Sequence, residues 1–354
     1  MKARKPRLRL DPLTRSRVER FKSIKRGYWS FRILLALILL SLLAELFVNS
    51  RALLVVYKGR PYFPTYARVL AGREFGLDYD YEADYRALSR ILPRRGEGWV
   101  LMPAVPYNAL EQDFREGRYP PYPPSFSEGH FLGTDRIGRD IVARLAYGFR
   151  IAIFFAVLYV SAAFLLGTLI GCLMGYWGGA FDIVFQRLIE IWEQIPFLYV
   201  VMIVASIFQP GFLLFLAIYV VFGWSGRTWS VRAMTYRERE RDYVLAARAM
   251  GAGTWRIITV HIVPNILVVI VTMLPFAVSG AISSLTALDY LGFGLRPPTP
   301  SWGELISQGI ATYKEAPWIL ASVISAMIAV LTMIAFIGEG LRDAFDPKRY
   351  TVYQ

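Results

Sequence analysis

The chain has 354 residues, 55% hydrophobic and 15% aromatic, with a mean hydropathy of +0.39, too apolar for an ordinary soluble domain. Its net charge of +13 does not mark a nucleic-acid binder, because much of the excess precedes the first apolar run, where a flank on the inner side of a membrane accounts for it. The single cysteine, Cys172, lies in an apolar segment and excludes both an intrachain disulfide and a cysteine-built metal site.

Residues 1–30 are basic from Lys2 to Arg26 against only Asp11 and Glu19, which keeps this segment in the cytoplasm. Residues 31–48 form a first apolar run near the roughly 20 residues needed to cross a bilayer, and no small-residue cleavage site follows it. From 49 to 150 the chain turns polar and rich in Tyr, Trp and Pro. This is expected to be an external insertion with folded structure of its own, ending in an amphipathic lead-in over 130–150. His130, Asp135 and Asp140 lie there with spacing wrong for a metal site, and are expected to be satisfied surface polar residues.

Residues 151–177 contain no charge and form the clearest span, with Gly167, Gly171 and Gly175 on one face for close approach of a helix from this chain or another. Residues 182–194 are amphipathic and expected at the cytoplasmic interface. Two short spans follow, 195–208 and 212–224, divided by Gln209, Pro210 and Gly211. The fifth span, 257–288, contains Pro264 and Pro275, each able to kink it. An external turn over 288–306 has too many prolines and glycines for a long helix. A sixth span covers 317–337, and residues 338–354 return to the cytoplasm. Six spans place both termini on one side.

Between spans four and five, residues 226–265 are rich in arginine and therefore cytoplasmic. Good helix formers run from Arg237 to Met250. Gly251 then stands where a helix end wants positive φ, and Gly253 and Thr254 open a second helix. The result is a helix-turn-helix at the membrane surface. The small side chains of Ala246 and Ala247 let another protein approach, so it reads as a docking tip.

Catalytic machinery is missing from this pattern. No Gly-Lys dipeptide occurs, so there is no phosphate-binding loop, and any ATP-driven transport needs another polypeptide for hydrolysis. Ion-coupled transport is disfavoured because the apolar runs lack central carboxylates. A membrane enzyme is disfavoured too. No Ser-His-Asp order and no His-Glu-x-x-His is present, and the only histidines, His130 and His261, fall on opposite membrane faces.

The hairpin resembles the EAA loop of ABC-importer permeases, with Ala246, Ala247, Gly251 and Pro264 in register, although Leu245 and Val263 stand where that family usually has Glu and Leu. Two further motifs resemble the peptide/nickel (Opp/Dpp-type) group. One is His130, Leu132, Gly133, Thr134, Asp135, Gly138, Arg139 and Asp140; the other is Leu291, Gly292, Gly294, Pro297, Pro298, Pro300, Trp302 and Gly303. The closing run Leu341 to Pro347 matches as well. Within the group, 25–31 and 190–196 look most like the Yej-type permeases associated with oligopeptide and microcin C uptake.

This resemblance implies an all-α membrane protein with six transmembrane helices, the type I importer permease fold, and a large periplasmic insertion between the first two. It implies a bacterial inner-membrane heterodimer with a second permease subunit, surrounded by membrane lipid, two cytoplasmic ATPase subunits that bind ATP and Mg, and a periplasmic substrate-binding protein. It implies no cofactor or catalytic residue in this chain. The ATPase contact would involve Tyr243, Ala246, Ala247, Arg248, Gly251, Ala252 and Pro264, with Ala247 wetted when the partner is absent.

Overall fold

The structure, a computed structural model, describes residues 12–208 and 211–346. The start of the basic N-terminal segment, the Gln209–Pro210 turn pair, and Pro347 with the rest of the C-terminal tail lie outside the described residues.

Two helices, α1 (Pro12–Ser23) and α2 (Lys25–Leu42), open the chain, and a one-turn helix α3 (Ala44–Phe47) follows a break at Leu43. The first apolar helix therefore starts and stops about six residues earlier than the hydropathy of 31–48 indicates. It packs on the last helix because Gly27 brings the two backbones together. A Cβ at Gly27 would stand 2.9 Å from the Phe336 carbonyl and 3.3 Å from Gly340 Cα.

The polar segment is folded, but it is not all helical as expected. Strands β1 (Leu54–Tyr57), β2 (Arg60–Tyr62) and β3 (Gly98–Leu101) make an antiparallel sheet in the order β2-β1-β3. The β1–β2 hairpin closes on Lys58 and Gly59, both with positive φ, as a tight two-residue turn requires. Helix α4 (Tyr85–Arg95) is capped by Asp84, whose side chain accepts from the Arg86 and Ala87 amides, and it ends on left-handed Gly96. Its buried face, Leu88 and Leu92, joins Val55 and Phe75 in a small separate core.

Helix α5 (Ile141–Trp177) fuses the expected lead-in and second span into 37 residues, about 55 Å at 1.5 Å per residue. Helices α6 (Gly179–Glu193) and α7 (Phe197–Phe208) are bent by 59° where Pro196 interrupts them. Helix α8 (Phe212–Gly223) runs through Trp224 into α9 (Ser225–Arg239), so the expected short fourth span is a continuous helix, Phe212–Arg239. The expected single helix from Arg237 to Met250 is broken at Glu240 and extended Arg241, and α10 (Asp242–Ala249) starts beyond them.

A helical turn α11 (Thr254–Arg256) then leads through a π-helical segment, Ile257–Ile262, into α12 (Val263–Tyr290). Pro275 lies inside α12 without ending it. Pro264 stands two residues past the π segment, in the first turn of α12, so its missing amide falls next to where the hydrogen-bond register is already shifted. Helices α13 (Trp302–Ala311) and α14 (Pro317–Phe345) complete the chain.

Among the described residues four helices are long and apolar enough to cross a membrane, α5, α8–α9, α11–α12 and α14, or five if the bent α6–α7 pair is one span. The six expected from hydropathy are thus not all matched. Helix α2 carries Lys25, Arg26 and Arg32 in its 18 residues, too much charge for so short a helix to qualify.

The glycine face of α5 packs on α9 of the same chain. A Cβ at Gly167, Gly171 or Gly175 would lie 2.7 Å from Arg227 Cβ, 2.8 Å from the Thr228 carbonyl and 2.6 Å from Thr235 Cβ respectively. Both helices run in the same direction here, and they end together beneath α10.

Candidate coupling hairpin and buried signature network

Helix α10 ends as the local sequence dictates. Gly251 has φ +82°, its amide donates to the Arg248 carbonyl, and the Ala252 amide donates to the Ala247 carbonyl, both at 3.0 Å. These two bonds close the helix end around a left-handed residue. Gly253 is extended and accepts from the Ile257 amide, starting α11 after a four-residue turn. An added Cβ at Gly251 would meet nothing within 4 Å, so conformation rather than space selects glycine.

The hairpin is fastened from three sides. The Tyr243 hydroxyl donates to Glu238 at 2.5 Å and accepts from the Asn265 amide at 3.2 Å, and that same amide donates to the His261 carbonyl at 2.7 Å. Arg248 lies over the Tyr176 ring at the end of α5, 5.3 Å from its centroid. Val244 and Ala247 are buried against a core that includes Ile257 and Ile262.

Ala247 is 2% exposed, which corrects the expectation that it is wetted when the partner is absent. Helical geometry puts adjacent residues about 100° apart, so Ala246 faces outward while Ala247 faces the core that includes the π-helical segment Ile257–Ile262. The outer tip instead comprises Leu245, Ala246, Met250 (82% exposed) and Trp255, with Gly251 between them. Tyr243, Arg248 and Ala252 hold the hairpin to the bundle, and Pro264 is exposed at the start of α12.

At the other end of α5 the two signature motifs meet. His130, Asp135 and Asp140 are buried, not surface residues as expected, and Arg139 is buried with them. His130 Nδ1 lies 2.8 Å from Asp140, which also caps α5 through the Ala143 amide, and Nε2 lies 3.2 Å from Asp113. The ring stacks on Tyr107 at 3.9 Å. Arg139 binds Asp135 and Glu304, each at 2.6 Å, and Arg144 binds the other Glu304 oxygen. Burial works against the Arg139 charge, but the Asp135 and Glu304 carboxylates outweigh it and raise its pKa. No group of His, Cys, Asp and Glu suited to a metal occurs among the described residues.

Glu304 is positioned by Ser301, whose hydroxyl accepts from the Glu304 amide at 3.1 Å and caps α13. Trp302 donates to the Leu145 carbonyl at 3.1 Å and stacks on Phe149, with Gly148 leaving room for its ring. Gly294 and Gly303 wrap Asp289 so closely that a Cβ would stand 1.9 Å from its Oδ1 and 2.4 Å from its Cβ. Asp289 in turn accepts from the Leu295 amide at 2.7 Å. Gly133 and Gly138 likewise press on Tyr122 and Asp113. Gly292 turns the chain with φ +80°, and Leu291 and Pro298 belong to the same loop.

Sequence reasoning missed Arg144, Glu304 and Asp113. The Ser301-x-x-Glu304 spacing is a capping-box signal that would have found Glu304. Nothing local marks Asp113, which sits in an irregular loop. Also missed was Asp182 at the start of α6, held by Arg232 of α9 at 2.5 and 2.6 Å and by the Tyr236 hydroxyl at 2.7 Å.

A bundle of apolar helices with a firmly fastened hairpin at one end and a charge-locked cap at the other is the architecture of a membrane-embedded protein. Residues 167–349 match the family of binding-protein-dependent transport system inner membrane components, and the chain belongs to that family of ABC transporter permeases. It is 40% identical to the inner membrane ABC transporter permease protein YejE of Escherichia coli, across 96% of this chain and 99% of the relative. It is 38% identical to the peptidoglycan transport system permease protein YejE of Agrobacterium fabrum, across 96% and 94%. It is also 35% identical to the dipeptide transport system permease protein DppC of Bacillus subtilis, across 69% and 75%. The chain is therefore a multi-pass inner-membrane ABC permease, similar over nearly its full length to Yej-type permeases.

Proposed function

We propose that this chain is one permease subunit of an ATP-driven importer that moves oligopeptides or peptide-like compounds, including those of the microcin C type, into the cytoplasm by alternating access. In this reading the chain pairs with a second permease, two ATPase subunits bind ATP and Mg, and a periplasmic protein delivers cargo. The six spans are α2, α5, the bent α6–α7 pair, α8–α9, α11–α12 and α14. Both termini and the hairpin are then cytoplasmic, with the sheet-bearing insertion periplasmic.

The observation that carries the reading is the hairpin. Its exposed tip of Leu245, Ala246, Met250 and Trp255 is clamped by Tyr243 and the buried Ala247 face to the start of α12. A push on the tip therefore moves a membrane helix as a lever, and the π segment before Pro264 is where that helix gives. Peptide cargo is supported by the dipeptide transport relative DppC, and the peptidoglycan named for the Agrobacterium fabrum relative is itself peptide-bearing.

Copurification of the tagged chain tests the assembly, with an ATPase pair and a second permease expected. Uptake of labelled oligopeptides, a microcin C analogue and peptidoglycan fragments in a deletion strain tests the cargo. Growth and uptake identical to the parent for all three would overturn the cargo assignment. Reporter fusions near Arg90 and Arg239 test topology, with periplasmic activity expected only at the first.

A further inference from the structure

A pocket of about 370 Å³ opens where α9, α12 and α14 meet, lined by Arg227, Thr272, Met273, Phe276, Ala277 and Arg342. It lies toward the end of the bundle that bears the hairpin, since α5, α9 and α14 finish there. Close packing sets both of its charges. Gly167 lets the α9 backbone approach α5, so that Arg227 passes over the Phe164 ring, 5.1 Å from its centroid. Gly338 leaves room for the Phe276 ring, which a Cβ would touch at 2.7 Å, and Arg342 lies one turn further along that same face of α14.

Among the described residues neither guanidinium has a carboxylate partner, and the pocket contains no acidic residue. This is unusual for Arg227, which stands about 22 Å along the apolar helix that begins at Phe212. A cation within a membrane-spanning helix is costly unless something anionic or aqueous meets it. The other walls are Thr272, Met273, Phe276 and Ala277, so the site joins two cations to largely apolar surface. A free phosphate would use only the first feature, whereas a phospholipid uses both.

We propose that this pocket holds the headgroup of an anionic phospholipid from the leaflet on the hairpin side, its phosphate shared by Arg227 and Arg342 and its acyl chains lying along Met273 and Phe276. Basic pockets between membrane helices bind such headgroups by the same logic. The bound lipid ties α9, which leads directly into the hairpin, to α14.

The test is native mass spectrometry of the purified permease complex from nanodiscs holding equal phosphatidylglycerol and phosphatidylcholine. The wild type should retain phosphatidylglycerol in preference. Arg227→Gln/Arg342→Gln should lower that retention roughly 30-fold, and each single variant about 5-fold. The double Lys variant, which keeps both charges, should keep the preference and serves if the Gln variant fails to fold. Equal retention of the two lipids by the wild type, or retention by a folded double Gln variant, would overturn the assignment. So would displacement of phosphatidylglycerol by inorganic phosphate or by a cargo peptide at matched concentration.

Discussion

Two neighbouring alanines on α10 should respond very differently to the same substitution. Ala246 is exposed and Ala247 is 2% exposed in the core with Val244 and Ile257. Placing Asp at Ala246 loses only helix propensity, about 0.7 kcal/mol. Placing Asp at Ala247 adds to that the burial of an unpaired carboxyl, which takes up a proton rather than stay charged there, at a cost on the order of 3 kcal/mol. A melting curve of the purified protein should therefore drop by several degrees for Ala247→Asp and barely move for Ala246→Asp. Trypsin should cut near Arg248 only in the former, because its hairpin detaches. For the proposed ATPase contact the roles reverse in meaning: Ala246→Asp should abolish association in a stable protein, whereas Ala247→Asp loses it through damage to the hairpin. Equal melting curves would refute the burial argument. A stable Ala246→Asp variant that still binds ATPases and transports normally would refute the docking argument.

Gly251→Leu should cost about 1 to 2 kcal/mol through its φ of +82° alone, visible as faster hydrogen exchange in α10, since no neighbour obstructs the side chain. Gly171→Leu must part α5 from the Thr228 carbonyl 2.8 Å away and should lower the melting temperature sharply, whereas Gly280→Ala, with nothing within 4 Å, should be neutral or stabilising. Glu304→Gln leaves Arg139 and Arg144 short of a buried counter-charge and should cost about 3 to 5 kcal/mol, read by thermal unfolding. Burial raises the Asp113 carboxyl, but hydrogen bonds from Arg115 and His130 outweigh it and leave its pKa below the ordinary 3.8. A folded-state pKa below the unfolded one stabilises fully above pH 3.8, and the contribution is lost as pH falls through the lowered value. Exchange protection around His130 should fade in that window, and Arg115→Gln should move the loss to higher pH.

The tandem of apolar runs, the hairpin turn and the three family motifs were legible because each rests on short-range rules. Hydropathy follows from composition over about 20 residues, and the end of α10 follows from one glycine where the backbone must adopt positive φ. The glycine spacing in α5 likewise announced a close helix contact, but not which helix would supply it. Exposure was less legible. His130, Asp135, Arg139 and Asp140 look like surface residues in a polar stretch, yet they are buried because they bond one another, Asp140 to His130 and Asp135 to Arg139, and because Asp113, 17 residues before His130, and Glu304, 165 after Arg139, return to complete the network.

Span limits were misjudged for a similar reason. A helix carries on past its apolar run when tertiary partners cover the polar part, as α9 does by laying Arg232 on Asp182 and Arg239 on the Gly175 carbonyl. Ala246 and Ala247 show the limit most plainly. Their identities and spacing were readable from the chain alone. Which one faces solvent depends on the rotation of α10 about its axis, and that is decided only when Tyr243, Asn265 and the isoleucines of the π segment come together in space.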